Sequence, residues 1–245
     1  MTNNDLGRIY SAPPIIEAII QLHFEDAYTG SKARKLVERL TRRYDNHSSS
    51  VMVNAKVDFE KRTAEFDEAP QDRFTSADET DTLVIDDSAF TWARLAPYEG
   101  WEPFLARVSA DLNIAHEITG PRKLDRIGVR YVNRLDVPQA DDIIRYEDYL
   151  AINIEIPKQY TVIENYAWRF EREFPDSDVR AVVQSAVVEA QVPGCGSFML
   201  DIDVVARRNL PLRTADIFGK LAVMRGVKNE IFELAIRDTA RSMYS

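Results

Sequence analysis

The sequence predicts an α+β protein whose two halves repeat one arrangement and form a mainly antiparallel sheet with helices packed on one face. Two similar segments, 13–24 and 126–138, lie about half a chain apart, and each is typical of a strand. Each also opens a unit of strands followed by a long helix, and hairpin-joined strands leave one sheet face for helices. We therefore expect a single domain, 1–245, built of two pseudo-repeats, 13–120 and 121–245.

In the first half, polar and apolar residues alternate over 15–25, which indicates a strand. Thr29-Gly30-Ser31 is a helix start signal, and helical spacing of apolar residues then predicts a helix over 31–44. A second helix is predicted over 101–119, where Gly120-Pro121 supplies the stop signal. Between the two helices we expect short strands, around 52–60, 62–67, 71–76, 81–86 and 90–95.

In the second half the same order is expected to return. A strand over 124–136 is followed by a short helix at 141–150. Long strands are predicted at about 162–174, 179–191 and 197–208, and Thr214 is a plausible cap for a final helix that runs to about 243. The two opening strands, 15–25 and 124–136, are expected to pair at the seam between the halves.

Composition limits the classes of protein that this chain can belong to. The single cysteine, Cys195, excludes an intrachain disulfide and fits a reducing cytosol. No apolar stretch is long enough for a membrane span, and the polar N-terminus lacks the apolar core of a signal peptide. The formal net charge of −9 disfavours nucleic acid as a partner. We expect a cytoplasmic protein with no membrane association.

Three segments carry a resemblance to a known family: Pro13-Pro14-Ile15-Ile16-Glu17-Ala18, the stretch 90–101 (FTWARLAPYEGW) and the stretch 126–134 (RIGVRYVNR). Together they resemble a sporadically distributed prokaryotic family of uncharacterised proteins of about this length. The resemblance implies no activity, cofactor or catalytic residue. The patchy distribution of that family implies mobile genes, and hence a defence or toxin–antitoxin setting.

A row of arginines is the first candidate site. Arg126, Arg130 and Arg134 are spaced four apart on a predicted strand and so share one face, with Gly128 leaving open space between two of them. Guanidinium groups suit phosphate or carboxylate recognition. A polar seam formed by Glu17, Gln21 and His23 on the other opening strand would face this row, and cross-strand ion pairing is the alternative interpretation. We expect Arg130→Ala to weaken anion binding and to change the melting temperature little.

A set of carboxylates is the second candidate. Alternate acids on neighbouring strands can converge on a hard cation such as Mg²⁺. Salt-bridged or solvated strands are the alternative interpretation, and it is the one that we favour, so we expect no cofactor. The four candidate ligands are Glu171, Glu173, Asp201 and Asp203.

The predicted helix 31–44 is the third candidate, because it has six basic residues against Glu38 alone. Residues 58–87 have eleven acids against three basic residues. This asymmetry suits an acidic partner or head-to-tail self-association, and a solvated helix face is the alternative. The basic residues are Lys32, Arg34, Lys35, Arg39, Arg42 and Arg43.

Motifs for nucleophilic, phosphate-cradling or zinc chemistry are missing from the sequence. Trp92, Trp101 and Tyr98 are interpreted as an aromatic lid on the core rather than a base-stacking platform. The sequence thus favours a non-catalytic protein that binds another protein or itself as a homo-oligomer. One alternative is a nucleotide- or polyphosphate-binding enzyme or sensor that uses a charged sheet groove. Nucleic-acid binding through the helix 31–44 is the other.

Overall fold

The computed structural model describes residues 8–58, 63–139, 145–152 and 165–245, with side chains described outside 52–68. The chain is an α+β protein with one nine-stranded sheet, in the strand order β2-β3-β4-β5-β1-β6-β9-β8-β7. Every neighbouring pair of strands is antiparallel. None of the helices in these ranges combines the length and hydropathy that crossing a bilayer requires.

The elements follow one another along the chain as strands and helices with short connections. The strands are β1 (Ile15–Phe24), β2 (Asn46–Asp58), β3 (Thr63–Thr75), β4 (Asp81–Ile85), β5 (Ala89–Leu95), β6 (Leu124–Pro138), β7 (Ala167–Phe174), β8 (Val179–Val188) and β9 (Cys195–Ala206). The helices are α1 (Gly30–Thr41), α2 (Trp101–Thr119), α3 (Thr214–Ala235) and α4 (Asp238–Ser242).

The two opening strands pair at the centre of the sheet, as the sequence predicted. β1 runs antiparallel to β6, and Gln21 lies opposite Gly128 while His23 lies opposite Arg126. β5 flanks β1 on its other side, and β9 flanks β6. The pairing places the predicted polar seam of β1 and the arginines of β6 on the same face of the sheet.

The other face of these strands forms the hydrophobic core. β1 contributes Ala18, Ile20 and Leu22, which are all fully buried. Helix α2 begins and ends as the sequence predicted, and it buries its apolar stripe in the same cluster. α3 packs against β6 and β9 and buries Leu221 and Met224. Removing this apolar surface from water stabilises the fold at about 25 cal/mol per Å².

A buried carboxylate joins α2 to the first half of the sheet. The Asp111 side chain is almost fully buried, and it accepts hydrogen bonds from Trp92 Nε1 (3.0 Å), the Tyr44 hydroxyl (2.6 Å) and Arg43 Nε (2.8 Å). A buried charge needs such donors to offset its desolvation. The arrangement fixes the end of α1 and the strand β5 against α2.

The sequence predicted the β2–β3 region only in part. Three short strands were expected between 52 and 76, but β2 and β3 pair continuously from Asn46↔Thr75 to Asp58↔Thr63. Pro70 does not interrupt β3. It pairs with Val51 of β2, while β4 pairs only with the segment from Asp72 to Thr75. β3 therefore has one strand neighbour at Pro70 among the described residues, where the missing N–H is tolerated.

The final helix is shorter than predicted, because a tertiary contact ends it. α3 stops at Ala235, and Ile236 is extended and forms a β-bridge with Leu150. Two backbone hydrogen bonds flank this bridge, from Ala151 N to Ala235 O and from Arg237 N to Tyr149 O.

Two predicted elements fall partly outside the described residues. The short helix expected at 141–150 is a single 3-10 turn over Tyr146–Asp148, and 141–144 lie outside the description. The strand expected at 162–174 corresponds to β7 (Ala167–Phe174), and 162–164 lie outside the described residues.

Candidate functional site

The central arginine of the predicted row is bound to a buried carboxylate. Arg130 donates from Nε to Asp201 Oδ1 (2.9 Å) and from Nη2 to Asp201 Oδ2 (2.6 Å), and Gln184 Nε2 donates to the same carboxylate (3.1 Å). The Asp201 side chain is 1% exposed, whereas that of Arg130 is 43% exposed. The hydrogen bonds to Asp201 raise the pKa of the Arg130 guanidinium, and nearby Glu17 adds to this effect.

The other two arginines of the row also have partners. The guanidinium of Arg126 lies over Gly128 and fills the space that the glycine leaves. It donates to Gln21 Oε1, and its Nη2 is 3.6 Å from Asp203 Oδ2. Burial raises the pKa of the Asp203 carboxyl, while Arg126 and Arg130 oppose that effect.

Arg134 contacts groups at the far end of β6. Its Nε donates to Asp136 Oδ1 (2.9 Å), and its Nη2 donates to the Glu189 carbonyl oxygen (2.9 Å) and to Ser197 Oγ (3.3 Å). Arg126 and Arg130 therefore make cross-strand ion pairs with β9, which is the alternative interpretation that the sequence left open, whereas Arg134 pairs with Asp136 on its own strand. In the polar seam, Gln21 contacts Arg126, whereas His23 Nδ1 is 3.3 Å from Asp125 Oδ1.

The four carboxylates considered for Mg²⁺ are not brought together. Glu171 contacts Arg169 and Arg180, and Glu173 Oε1 is 3.8 Å from Arg180 Nε. Asp201 and Asp203 are held by Arg130 and Arg126, as described above. Within the described part of the chain, no three His, Cys, Asp or Glu side chains are placed to hold a metal ion.

The basic residues of α1 and of the turn after it divide into two groups. Arg39 pairs with Glu117 (3.2 Å), Arg42 with Glu38 (2.6 Å) and Arg43 with the buried Asp111 (2.8 Å). The second group is exposed and forms no ion pair within 4.0 Å among the side chains that the structure describes: Lys32, Arg34 and Lys35.

A cavity of about 290 Å³ lies on the core side of β6, on the face opposite the arginine row. We call it the basic-aromatic pocket. It is enclosed by the N-terminal arm (8–14), the loop that leads into α2, β6 and α3. The lining side chains that matter here are Arg8, Tyr10, Tyr98, Glu99, Trp101, Tyr131, Asn133, Arg225, Lys228, Phe232 and Glu233.

Two groups of contacts hold the rim of the pocket in place, one on the N-terminal arm and one on the loop that leads into α2. On the arm, the Tyr10 hydroxyl donates to Glu233 Oε1 (2.7 Å), and the Tyr10 ring meets Phe232 edge-on with ring centroids 6.0 Å apart. On the loop, the buried Arg94 donates to the Pro97 carbonyl oxygen (3.1 Å from Nη2). Gly100 then precedes α2 as its N-cap with a φ of 111°, a conformation that favours glycine.

Lys228 is the most unusual group in the pocket. It is 8% exposed, and its Nζ lies 4.0 Å from the centroid of the Tyr131 ring. Among the described residues, no carboxylate lies within ion-pair distance of this amine, and no acceptor forms a hydrogen bond with it. Burial, aided by the nearby Arg225 and opposed by Glu233, lowers the pKa of Lys228 to about 7. Strongly shifted pKa values in a cavity are typical of functional sites.

Two tyrosine hydroxyls meet beside this lysine. Tyr98 Oη and Tyr131 Oη are 2.8 Å apart, and the two rings are edge-to-face with centroids 5.7 Å apart. Burial raises the pKa of both phenols, so both remain protonated at neutral pH. One hydroxyl donates to the other, which leaves the second O–H to donate a hydrogen bond to an oxygen atom of a bound molecule.

The remaining charges leave the pocket positive. Glu233 already accepts hydrogen bonds from Tyr10 and from Arg241 Nε (3.0 Å). Glu99 is held by Arg94 (3.1 Å) and Arg107 (3.3 Å). The Arg225 guanidinium, by contrast, stacks 5.3 Å from the Trp101 ring, and its acidic neighbour Glu102 is 3.9 Å away and mostly exposed. Arg225 and Lys228 are thus the cations available to a ligand.

Sequence reasoning missed this pocket, although one signal was present. Lys228 occupies a position in the apolar stripe of α3 that continues from Leu221 and Met224 to Ile231. A lysine on such a stripe is either buried or keeps that part of the helix from packing on the core, so it marks a candidate site. The aromatic lid interpretation holds for Trp92, which is in the core, but Tyr98 and Trp101 also line the pocket.

No model of a known protein family matches the chain, and no curated protein matches it significantly in sequence. The resemblance noted in the sequence analysis therefore stays an expectation. The fold and site define an α+β protein with a central antiparallel sheet and a pocket that Arg225 and Lys228 line.

Proposed function

We propose that the protein binds a small organic anion in the basic-aromatic pocket. The observation that carries the proposal is the pair of cations, Arg225 and Lys228, in a cavity whose two lining carboxylates are bound to other residues. An anion placed between these cations would gain charge-assisted hydrogen bonds and would favour the charged form of the lysine.

The size and walls of the cavity support an organic ligand rather than a bare inorganic ion. Its volume of about 290 Å³ is at the lower end for small-molecule sites. Trp101, Tyr98 and Tyr131 supply the aromatic surface, and apolar walls with a few polar groups are typical of ligand pockets. A small carboxylate or phosphate ester with an apolar or planar body fits this description.

A binding screen tests the proposal. The chain is titrated in a calorimeter with pyruvate, benzoate, inorganic phosphate and adenosine monophosphate, and the organic anions that bind are carried forward. Arg225→Gln is expected to weaken their binding at least tenfold, which is about 1.4 kcal/mol. Lys32→Met, which removes an exposed cation on α1, is the matched control and should leave binding unchanged. Equal binding to native protein and Arg225→Gln would contradict the proposal.

The duplication expected from the sequence is part of the same proposal. In each half the opening strand pairs with the last strand of that half, β1 with β5 and β6 with β9. The strand orders on the two sides of the β1–β6 pair correspond in this respect. This supports two pseudo-repeats, 13–120 and 121–245, whose helices cover one face of a shared sheet.

A second candidate function is binding of an acidic protein through α1, in a cytoplasmic, defence or toxin–antitoxin setting. The observation that favours it is the exposed group of Lys32, Arg34 and Lys35, which has no acidic neighbour within 4.0 Å among the described side chains. A nucleotide or polyphosphate groove on the charged sheet face has less support, since Arg126, Arg130 and Arg134 already bind protein groups.

A further inference from the structure

We propose that Lys228 forms a reversible imine with the carbonyl group of a small ligand that also carries an acid group, such as a 2-oxo acid. The inference rests on the proposed function, because it concerns the same pocket and assumes that an organic anion enters it. It goes beyond that function by assigning the lysine a covalent role.

The geometry makes the amine available. Lys228 reaches the cavity from α3 and lies against the face of the Tyr131 ring, with Nζ 4.0 Å from the ring centroid. No described carboxylate pairs with it, so no salt bridge has to break before it reacts. Its pKa of about 7 leaves a large fraction of the amine unprotonated at neutral pH. An ordinary surface lysine, with a pKa of about 10.4, is almost fully protonated there.

The reaction balances without any further reagent. The Nζ lone pair attacks the carbonyl carbon, a C–N bond forms, and the carbonyl oxygen takes up a proton as the nitrogen loses one. The carbinolamine hydroxyl then takes up the remaining proton of the nitrogen and leaves as water, and the nitrogen lone pair forms the C=N bond. Water reverses both steps. The protonated Tyr98–Tyr131 hydroxyl pair lies in the same cavity and can donate a hydrogen bond to the ligand's oxygen.

Arg225, the second cation of the pocket, would bind the acid group of the ligand. Arg225 lines the cavity one helical turn before Lys228, so the two side chains project from the same side of α3. A guanidinium binds a carboxylate through paired hydrogen bonds. The titratable groups that line the cavity with the amine are Arg225 and Glu233 on α3, Tyr131 on β6, Tyr98 and Glu99 on the loop, and Arg8 and Tyr10 on the arm. Of these, Arg225 and Glu233 influence its protonation.

The test is reductive trapping of the full-length protein. The chain is incubated with pyruvate or glyoxylate and sodium cyanoborohydride, and modified lysines are located by peptide mass mapping. We expect one reduced adduct, on Lys228, with a rate that rises to half its maximum near pH 7. Lys220 on the same helix is the internal control, and its labelling should be at least tenfold slower at pH 7. Lys228→Met should abolish the dominant adduct.

The outcomes separate this inference from the function on which it rests. Labelling spread evenly over surface lysines, or no adduct at all, overturns the imine. If no adduct forms on Lys228 but lactate, which has the same acid group and no carbonyl, binds in calorimetry, anion binding stands while the imine fails. If no adduct forms and none of lactate, pyruvate, benzoate and adenosine monophosphate binds, both fail. Should Lys228→Met not fold, site-specific labelling of the native chain and its pH profile still decide the question.

Discussion

Arg130 binds Asp201 through two parallel hydrogen bonds, at 2.9 and 2.6 Å, across the β6–β9 pair. Because the Asp201 side chain is 1% exposed, removing the arginine leaves a buried charge with Gln184 as its remaining side-chain donor among the described residues. Breaking a buried pair in this way costs about 3–5 kcal/mol when both partners are buried. Arg130 is 43% exposed, so a lower cost is expected here.

We therefore expect Arg130→Ala to lower the free energy of unfolding by about 2–3 kcal/mol, measured by urea denaturation. This reverses the expectation drawn from the sequence, which foresaw little change in stability. The double variant Arg130→Ala/Asp201→Asn is the control, since it also removes the buried charge and should recover part of the loss. A single variant as stable as the native protein would contradict this expectation and would show that water replaces the hydrogen bonds that Asp201 loses.

Asp111 is expected to be the most sensitive polar position in the first half. It accepts hydrogen bonds from Trp92, Tyr44 and Arg43 and is 2% exposed. Asp111→Ala should destabilise the protein by about 3–5 kcal/mol, because three donors lose their acceptor. Tyr44→Phe removes one of these hydrogen bonds and should cost about 1 kcal/mol. Similar losses in the two variants, measured by urea denaturation, would contradict the central role of the carboxylate.

The elements that sequence reasoning predicted well are those with strong local periodicity. β1, α2 and β6 alternate or repeat over ten or more residues, and the β1–β6 pairing followed from their similar position in the two halves. The lengths of β2 and β3 depend on the pairing of these two strands with each other, and the end of α3 depends on the Leu150–Ile236 bridge. Local sequence does not contain these contacts.

The pocket was beyond prediction for a similar reason. Its walls come from the N-terminal arm, the loop before α2, β6 and α3. The residues that these elements contribute, Tyr10, Tyr98, Tyr131 and Lys228, are far apart in the chain. The spacing of the arginine row did predict a shared face, but it could not show that Asp201 and Asp203 lie opposite. Charged residues on a strand reveal their face, whereas their partners depend on register.

Dividing the chain at Gly120 should abolish cooperative folding of both parts. The cut separates β1 from β6, which are neighbours at the centre of the sheet, and each fragment would expose the unpaired edge of a long strand. We expect fragments 1–120 and 121–245 to be insoluble or to lack a cooperative thermal transition when made alone. The matched control is co-expression, where the two fragments should reassemble. Two fragments that each unfold cooperatively would show that the halves are independent domains.

Lys228 should make stability depend on pH in a defined window. Its folded-state pKa of about 7 lies below its ordinary value of 10.5, so between these values the unfolded chain binds one proton more than the folded chain. Stability contributed by this site therefore rises with pH through the window, by up to about 1.4 kcal/mol per pH unit. Urea denaturation from pH 7 to 9 tests this against Lys228→Met. The difference between the two proteins should change with that slope, and a constant difference would contradict the shifted pKa.

Association driven by α1 is expected to depend on the basic residues that form no ion pair among the described side chains. Lys32 and Lys35 have no acidic neighbour within 4.0 Å among the described side chains, whereas Arg43 holds the buried Asp111 and cannot be changed without affecting the fold. We expect Lys32→Glu/Lys35→Glu to weaken any self-association or acidic-partner binding, because attraction becomes repulsion. Exposed charges are screened over about 8 Å at physiological salt, so association of the native protein should also weaken as salt rises.

Light scattering at low and high salt measures self-association directly. Arg207→Glu/Arg208→Glu, which makes the same change in charge at two exposed residues after β9, is the matched control and should leave association at the native level. Equal loss in both double variants would mean that net charge, rather than the α1 surface, governs association. A native protein that remains monomeric at low and high salt, and binds no acidic partner, would leave Lys32, Arg34 and Lys35 as a solvated helix face.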